Sequence, residues 1–297
     1  MLNRVSGVRI SPGAPLTGLS TKFHSWRMKT EYLLSAWPKV LEHIQKAEHV
    51  LLLIDFDGTL APIVEKPELA ELPKKTRALI HELAARSNFI IGIISGRALE
   101  DLKKKVKIDQ VIYAGNHGFE IEGPDMRYMN PVIDELKPLF RIIKQILSSK
   151  LGLIKGILIE DKGITISIHY RGVDAGKTAE VKKLIESTIS GIASRGLIEV
   201  TSGKKVYEIK PAVDWDKGKA IRLLMKKFGK GGRNSGLLPI YLGDDIADED
   251  AFNIIKRYGR GITVHIGEPY SDSTAQYFLK SPDEVFCFLA KLINPTL

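Results

Sequence analysis

The sequence is poor in cysteine, since Cys287 is the only one among 297 residues. A single cysteine excludes an internal disulfide framework and favours a reducing compartment. Because Cys287 lies in the apolar stretch VFCFLA, we predict a core side chain and not a nucleophile. The sequence also lacks any run of roughly 18 consecutive apolar residues, the length that a membrane span requires. Both absences favour a cytoplasmic protein that does not enter a membrane.

Acidic residues are absent from the first 29 residues, which supply five of the nine net positive charges. The formal charge of +9 and the pI near 9.4 would by themselves suggest a nucleic-acid partner. In residues 30–297, however, acids and bases are interspersed as on an ordinary solvated surface. We therefore predict no nucleic-acid partner. The contrary hypothesis predicts salt-dependent DNA or RNA binding that survives removal of the first 27 residues.

The same leader is rich in Gly, Ser, Pro and Thr and has no hydrophobic periodicity. That composition is typical of a disordered tail, which we predict for residues 1–29. Met28 is a candidate initiator, and we hypothesise that the functional protein begins there. N-terminal mass spectrometry would test this, because a native peptide spanning Ser20–Lys29 would contradict it.

Continuous apolar runs at 50–54, 89–94, 111–114 and 238–242 are typical of buried parallel strands. Helical spacing separates them, so we predict an α/β fold with a doubly wound parallel sheet. Between residues 157 and 209 the pattern changes to short strands around one helix, which indicates an inserted α+β domain. We predict core segments at 30–121 and 209–297, with the insert at 122–208.

Polar side chains follow three of the predicted strands. Asp55 and Asp57 end the first, Ser95 follows the second, and Asp244 and Asp245 follow a later one. Parallel strands end at one edge of the sheet, so these groups can converge there. Carboxylates that converge repel one another unless a cation lies between them, and hard oxygen ligands indicate Mg²⁺.

Each of these residues has a structural alternative. DFDGT can be an Asx-rich turn, and Ser95 before Gly96 can be a turn residue. Lys217 is a candidate phosphate ligand, but it can also be a surface amine, and Lys219 competes with it for the role.

Taken together, DxDGT, a strand-terminal Ser, a Lys and GDDxxDE resemble the four motifs of haloacid dehalogenase-like (HAD) phosphotransferases. LLLIDFDGTLAPI, IISGR, YAGNHGFEI, EDKGITISIHYR and GDDIADEDAF further resemble the trehalose-6-phosphate phosphatase family. The resemblance covers about residues 50–290. It implies an α/β HAD core with an inserted α+β cap of the C2 type. It also implies Mg²⁺-dependent hydrolysis of trehalose 6-phosphate to trehalose and phosphate.

The resemblance assigns roles to residues of the core. Asp55 would be the nucleophile that forms an aspartyl-phosphate, and Asp57 the general acid and base. Mg²⁺ would be held by Asp55, by the backbone carbonyl of Asp57 and by Asp244. Asp245 and Asp248 would support these ligands from behind. The phosphoryl oxygens would be bound by Thr59, Ser95 and Lys217.

The cap would read the sugar, because phosphatase chemistry is common to the superfamily. By resemblance, Glu160 and Lys162 are the leading sugar-binding candidates, followed by Glu120 and Glu208. The alternative for the first pair is a hairpin ion pair of little energetic value. His117 is either a structural histidine or a direct substrate contact.

Two other functions stay open. One is a phosphatase for another glycosyl phosphate, such as glucosyl- or mannosyl-phosphoglycerate or sucrose 6-phosphate. The other is a silent regulatory subunit of a sugar-phosphate synthase, although the intact Asp55, Asp57 and Asp244 argue against it. The main hypothesis predicts a monomer whose substrate comes from a separate trehalose-6-phosphate synthase.

Overall fold

The structure is a computed structural model that describes residues 30–64, 66–193, 196–203, 205–229 and 236–296. The predicted disordered tail and the candidate start at Met28 lie outside the described residues. Two β-sheets dominate the fold. The larger has nine strands in the spatial order β1 (Glu31–Tyr32), β13 (Tyr277–Leu279), β12 (Ile262–Ile266), β11 (Leu237–Gly243), β2 (His49–Asp55), β3 (Phe89–Ile94), β4 (Ile112–Gly115), β5 (Glu120–Gly123) and β6 (Met126–Met129).

The smaller sheet is antiparallel and has four strands. In spatial order these are β7 (Leu158–Asp161), β8 (Ile166–His169), β10 (Val206–Pro211) and β9 (Ile198–Gly203). Eight α-helices complete the described chain. They are α1 (Trp37–Gln45), α2 (Lys74–Ala84), α3 (Leu99–Val106), α4 (Val132–Leu151), α5 (Thr178–Ala193), α6 (Lys217–Phe228), α7 (Glu249–Tyr258) and α8 (Pro282–Ile293).

Strand β2 lies in the middle of the large sheet and pairs in parallel with β11 and β3. Its residues 50–54 are all buried, as the apolar run predicts. Alternate side chains point to opposite faces. Val50, Leu52 and Ile54 pack with one hydrophobic cluster, and Leu51 and Leu53 with another. Helices cover both faces, so the predicted α/β fold with a doubly wound sheet is confirmed.

The small sheet carries α4 and α5 on one face. Ile166, Ile168 and Ile209 pack there against helix residues such as Ile143 and Ile185. Glu160, Ser167 and Glu208 are paired across three adjacent strands, in register with one another. Because neighbours along a strand alternate in direction, this row faces away from the helices. The open face of the small sheet is therefore polar.

The strand pairing moves the predicted boundaries of the insert. Residues 122–129 belong to the large sheet, because β5 and β6 extend it antiparallel to β4. The small sheet continues to Pro211, beyond the predicted end at 208. Short strands of mixed polarity resemble one another in sequence, so pattern alone could not assign them to a sheet.

The predicted burial of Cys287 is wrong, because its side chain is exposed. Helix α8 buries Val285, Phe288, Leu289 and Leu292, which recur at helical spacing. Cys287 lies on the other side of that helix.

None of the helices in the described ranges combines the length and apolar character needed to cross a membrane.

Candidate active site

The predicted strand ends meet at one edge of the large sheet. Asp55 is the last residue of β2, Ser95 follows β3, and Asp244 follows β11. In the parallel register Ile54 pairs with Leu242 and Asp55 pairs with Ile94. The three polar positions are thereby brought together.

Lys217 is the buried cation of this cluster. Its ammonium donates to Asp55 Oδ1 at 2.7 Å and to Asp248 Oδ1 at 2.6 Å. It opens helix α6, whose cap is Asp216, accepting from the Lys219 amide at 2.8 Å. Lys219 instead pairs with Asp214 on the outside of the helix. Of the two candidate lysines, it is therefore Lys217 that lies beside the aspartates.

Asp248 is fully buried and holds the cluster from behind. Its Oδ1 also accepts from the Tyr241 hydroxyl at 2.6 Å, and its Oδ2 accepts from the Asp245 amide at 2.9 Å. Asp245 differs, because its carboxylate is exposed and accepts from the Ile246 amide at 2.7 Å. Of the two predicted supporting residues, Asp248 contacts the cluster, whereas Asp245 caps the following turn.

The cluster has more negative than positive charge. Carboxylate oxygens of Asp55, Asp244 and Asp248 all lie within 4.8 Å of one another. Burial raises the pKa of Asp244 to about 7, and the charge of Asp248 adds to the rise. Burial also raises the pKa of Asp55, against the opposing charge of Lys217. Three carboxylates beside one ammonium fit a divalent cation with a preference for oxygen, such as Mg²⁺.

Gly58 makes room for this arrangement. Its φ of +87° is in the left-handed region, and a Cβ there would overlap the Asp244 carboxylate. Thr59, which follows, is buried and donates to Asp244 Oδ1 at 3.3 Å. The glycine and threonine of DFDGT therefore set the position of Asp244.

Asp57 lies in a different environment from Asp55. Arg97 Nε donates to Asp57 Oδ2 at 2.7 Å and Arg97 Nη2 donates to Asp57 Oδ1 at 2.6 Å. Such a two-pronged pair fixes the orientation of the carboxylate as well as its charge. The side chain of Asp57 is 42% exposed, compared with 7% for Asp55. The two acids of the DxD sequence are thus separately held.

Arg97 is itself anchored on several sides. Nη1 donates to Asp101 at 2.8 Å, and Nη2 also donates to the Pro67 carbonyl at 2.9 Å. Burial opposes the charge of Arg97, but the hydrogen bonds to Asp57 and Asp101 more than compensate and raise its pKa. Ser95 Oγ accepts from the Arg97 amide at 3.1 Å and lies 3.4 Å from Asp57 Oδ2.

Three of the four predicted sugar-binding residues, Glu160, Lys162 and Glu208, lie on the open face of the small sheet and pair with one another. Lys162 Nζ donates to Glu208 at 3.3 Å and lies 4.0 Å from Glu160. His169 Nε2 is 3.0 Å from Glu160 Oε2. Burial acts to raise the pKa of Glu160, but the His169 hydrogen bond and the Lys162 charge outweigh it and lower the pKa.

Two residues of the GNHG segment join the sheets. His117 Nε2 lies 3.2 Å from both carboxylate oxygens of Glu208. Asn116 donates to the Lys162 carbonyl at 3.0 Å and accepts from the Thr165 hydroxyl at 2.8 Å. Asn116 also donates to Glu120 at 2.7 Å, so Glu120 stands next to this junction and not in the small sheet.

Sequence reasoning gave no role to Arg97, Asn116 or Tyr241. The sequence does carry a signal for the first two, because Arg97 lies in the IISGR motif and Asn116 in the YAGNHGFEI motif. Tyr241 carried no signal, because it is one of several apolar residues in a buried strand.

Comparison with known proteins gives consistent matches. The family model for trehalose-phosphatase matches residues 53–283. A probable trehalose-phosphate phosphatase 3 of Oryza sativa subsp. japonica is 32% identical over 310 residues, covering 97% of this chain and 82% of the relative.

Solved structures share the fold. The C-terminal domain of a Candida albicans trehalose-6-phosphate phosphatase superposes with a TM-score of 0.73 at 24% identity, covering 89% of this chain and 98% of that one. The C-terminal domain of a Candida albicans trehalose synthase regulatory protein gives a TM-score of 0.67 at 16% identity, covering 85% and 97%. At these identities the likeness concerns the fold alone.

Proposed function

This chain belongs to the trehalose-phosphatase family, and we propose that it hydrolyses trehalose 6-phosphate to trehalose and phosphate through an aspartyl-phosphate on Asp55. The observation that carries the proposal is that the two acids of the DxD pair lie in different surroundings. Asp55 is buried against Lys217, whereas Asp57 is partly exposed and held by Arg97. A nucleophile and a proton-transfer group need such different surroundings.

In the first step, Asp55 attacks the phosphorus atom and the bond from phosphorus to the sugar oxygen breaks. Lys217 holds Asp55 Oδ1 and adds a positive charge beside the phosphoryl oxygens. Asp57 gives its proton to the departing sugar oxygen. In the second step, Asp57 takes a proton from water while the water oxygen attacks phosphorus and the bond to Asp55 breaks.

Arg97 orients Asp57. Its fork of two hydrogen bonds holds both carboxylate oxygens in one position. The fork also fixes where the proton is delivered.

We assign Asp55 and Asp244 as carboxylate ligands of a Mg²⁺ ion, together with the backbone carbonyl of Asp57. Asp248 is better suited to support them, because its two oxygens already accept from Lys217, Tyr241 and the Asp245 amide. When bound, the cation would offset the repulsion between the nucleophilic carboxylate and the phosphate. Thr59, Ser95 and Lys217 remain the proposed contacts of the phosphoryl oxygens.

We assign sugar recognition to Glu160, Lys162 and Glu208, with Glu120 in a supporting place. Their charged groups line the open face of the small sheet, and charged groups make firm hydrogen bonds with sugar hydroxyls. In this proposal residues 130–211 act as a cap over the large sheet. Asn116 and His117 hold the two together.

The alternatives are distinguishable. Another glycosyl phosphate would use the same aspartates with a different cap preference. The Candida albicans regulatory protein has a similar fold, so the fold by itself is compatible with a silent regulatory role. The contact of Asp55 with Lys217 and the pairing of Asp57 with Arg97 favour an enzyme. We further propose a cytoplasmic monomer that acts on the product of a separate synthase.

The decisive assay is Mg²⁺-dependent phosphate release from trehalose 6-phosphate, sucrose 6-phosphate and glucosyl-phosphoglycerate in parallel. We expect the first to be preferred, and Asp55→Asn to abolish turnover while the protein stays folded by circular dichroism. Asp109→Asn, at an exposed position after α3, is the matched control and should keep full activity. Residual Mg²⁺-dependent activity of Asp55→Asn would refute the nucleophile, and preference for another substrate would refute the sugar assignment.

A further inference from the structure

The outermost strand of the large sheet has a free edge. Strand β6 pairs with β5 on one side, and the described residues place no strand on its other side. An open edge of this kind can accept an extended peptide as an additional strand.

The phase of the ladder shows which backbone groups face outward. The Asn130 amide donates to the Phe119 carbonyl at 2.8 Å, so this pair is hydrogen-bonded. In an antiparallel ladder hydrogen-bonded and non-hydrogen-bonded pairs alternate. Arg127 and Met129 fall in the non-hydrogen-bonded positions opposite Glu122 and Glu120. Their N–H and C=O groups therefore point away from β5, where the described ranges offer them no backbone partner.

A cavity of about 480 Å³ lies between β6 and the end of α6. Met126, Tyr128 and Leu223 provide its apolar lining, and Lys226 and Lys227 its positive charges. Asp125 is the acidic residue of this lining, and its backbone carbonyl accepts from the Lys227 ammonium at 2.9 Å. The cavity is thus basic with an apolar floor.

We propose that the β6 edge and this cavity, together the β6 edge surface, bind an extended acidic segment of a partner protein. The segment would pair with Arg127 and Met129 through its backbone, place acidic side chains near Lys226 and Lys227, and set an apolar side chain on the floor. This surface lies at the opposite end of α6 from Lys217, so the partner would bind without entering the active site.

Other occupants fit less well. A second copy of the chain, paired edge to edge, would bring like charges together. Residues 1–29 carry five basic residues and no acid, so they would be repelled. A nucleic acid has no peptide groups with which to extend the ladder.

Fluorescence polarisation with synthetic peptides tests the proposal on the full chain. The probe is a labelled peptide of repeating Glu-Thr-Val-Thr, whose Glu and Val side chains fall on the same face of an extended strand. One control peptide replaces Glu with Lys, and another keeps the charges but carries N-methyl groups along its backbone. We expect the first peptide to bind and both controls to fail. Lys226→Glu with Lys227→Glu reverses the charge that faces the acidic side chains, so binding should weaken by about tenfold or more, which corresponds to about 1.4 kcal/mol for each tenfold.

Phosphate release by the double variant is the check on its fold, and we expect it to be unchanged. Equal binding of the N-methylated peptide would show simple charge attraction and overturn the strand pairing. Equal binding of the Lys peptide, or no binding at all, would overturn the acidic partner. Tighter binding of a thymidine oligonucleotide would favour a nucleic acid. Self-association in sedimentation that the double variant alters would favour a second copy, and either result would overturn the proposal.

Discussion

Replacing Gly58 with alanine should inactivate the enzyme with only a small loss of stability. At φ = +87° an alanine costs roughly 1–2 kcal/mol of backbone strain. For a domain of this size that is a fall of about 2–8 °C in Tm. The new Cβ would also occupy the place of the Asp244 carboxylate, which must move. If Asp244 is the metal ligand that we propose, a shift of about 1 Å in its carboxylate costs on the order of 100-fold in rate.

Gly259→Ala separates strain from displacement. Gly259 has a similar φ of +80°, ends helix α7 and has open space where its Cβ would lie. We expect it to lose a comparable few degrees in Tm and to keep its activity. Thermal unfolding and phosphate release, both measured over a Mg²⁺ titration, complete the test. If Gly58→Ala is fully active, or if Gly259→Ala is equally inactive, the argument from Asp244 fails.

Three further predictions concern charge. Arg97→Lys keeps the charge but loses the fork on Asp57, so we expect kcat to fall about 10–100-fold with a smaller change in KM, as steady-state kinetics will show. Burial lowers the pKa of His265, so the free energy of unfolding should fall as pH drops below about 6.5, by at most about 1.4 kcal/mol per pH unit. Urea unfolding at a series of pH values should show a flatter dependence for His265→Gln. Burial acts to raise the pKa of Glu208, but His117 and a lysine lower it by more. The ionised form therefore stabilises the fold, and that stability is lost as pH falls below about 4.3. In acid unfolding, Glu208→Gln should lack this loss.

Much of the large sheet could be predicted from the sequence. Strands buried on both faces read as unbroken apolar runs, and β3 at Phe89–Ile94 has the predicted bounds. The hairpin of β5 and β6 is not predictable in this way, because its two strands of four residues have mixed polarity and resemble the short strands of the insert. Burial of one face alone gives too weak a pattern over so few residues.

The candidate site was predictable in its members and less so in its contacts. The convergence of Asp55, Ser95 and Asp244 follows from the direction of parallel strands. The fork from Arg97 to Asp57 depends on tertiary geometry that spacing does not encode. The same holds for Asp248, which the tight turn after β11 places inside while Asp245 stays outside.

The central pairing of β2 with β11 also has a consequence for biosynthesis. Lys217 and Asp55, which are in contact, are 162 positions apart in the chain, and the small sheet with its helices is translated between them. Loops of this length close slowly, and parallel pairing over such a separation is a late event in folding. A ribosome-bound chain that ends before β11 contains Asp55 but lacks Asp244. We therefore expect phosphatase activity to emerge only after β11 and Asp244 have left the ribosome, which makes activity a reporter of the completed large sheet.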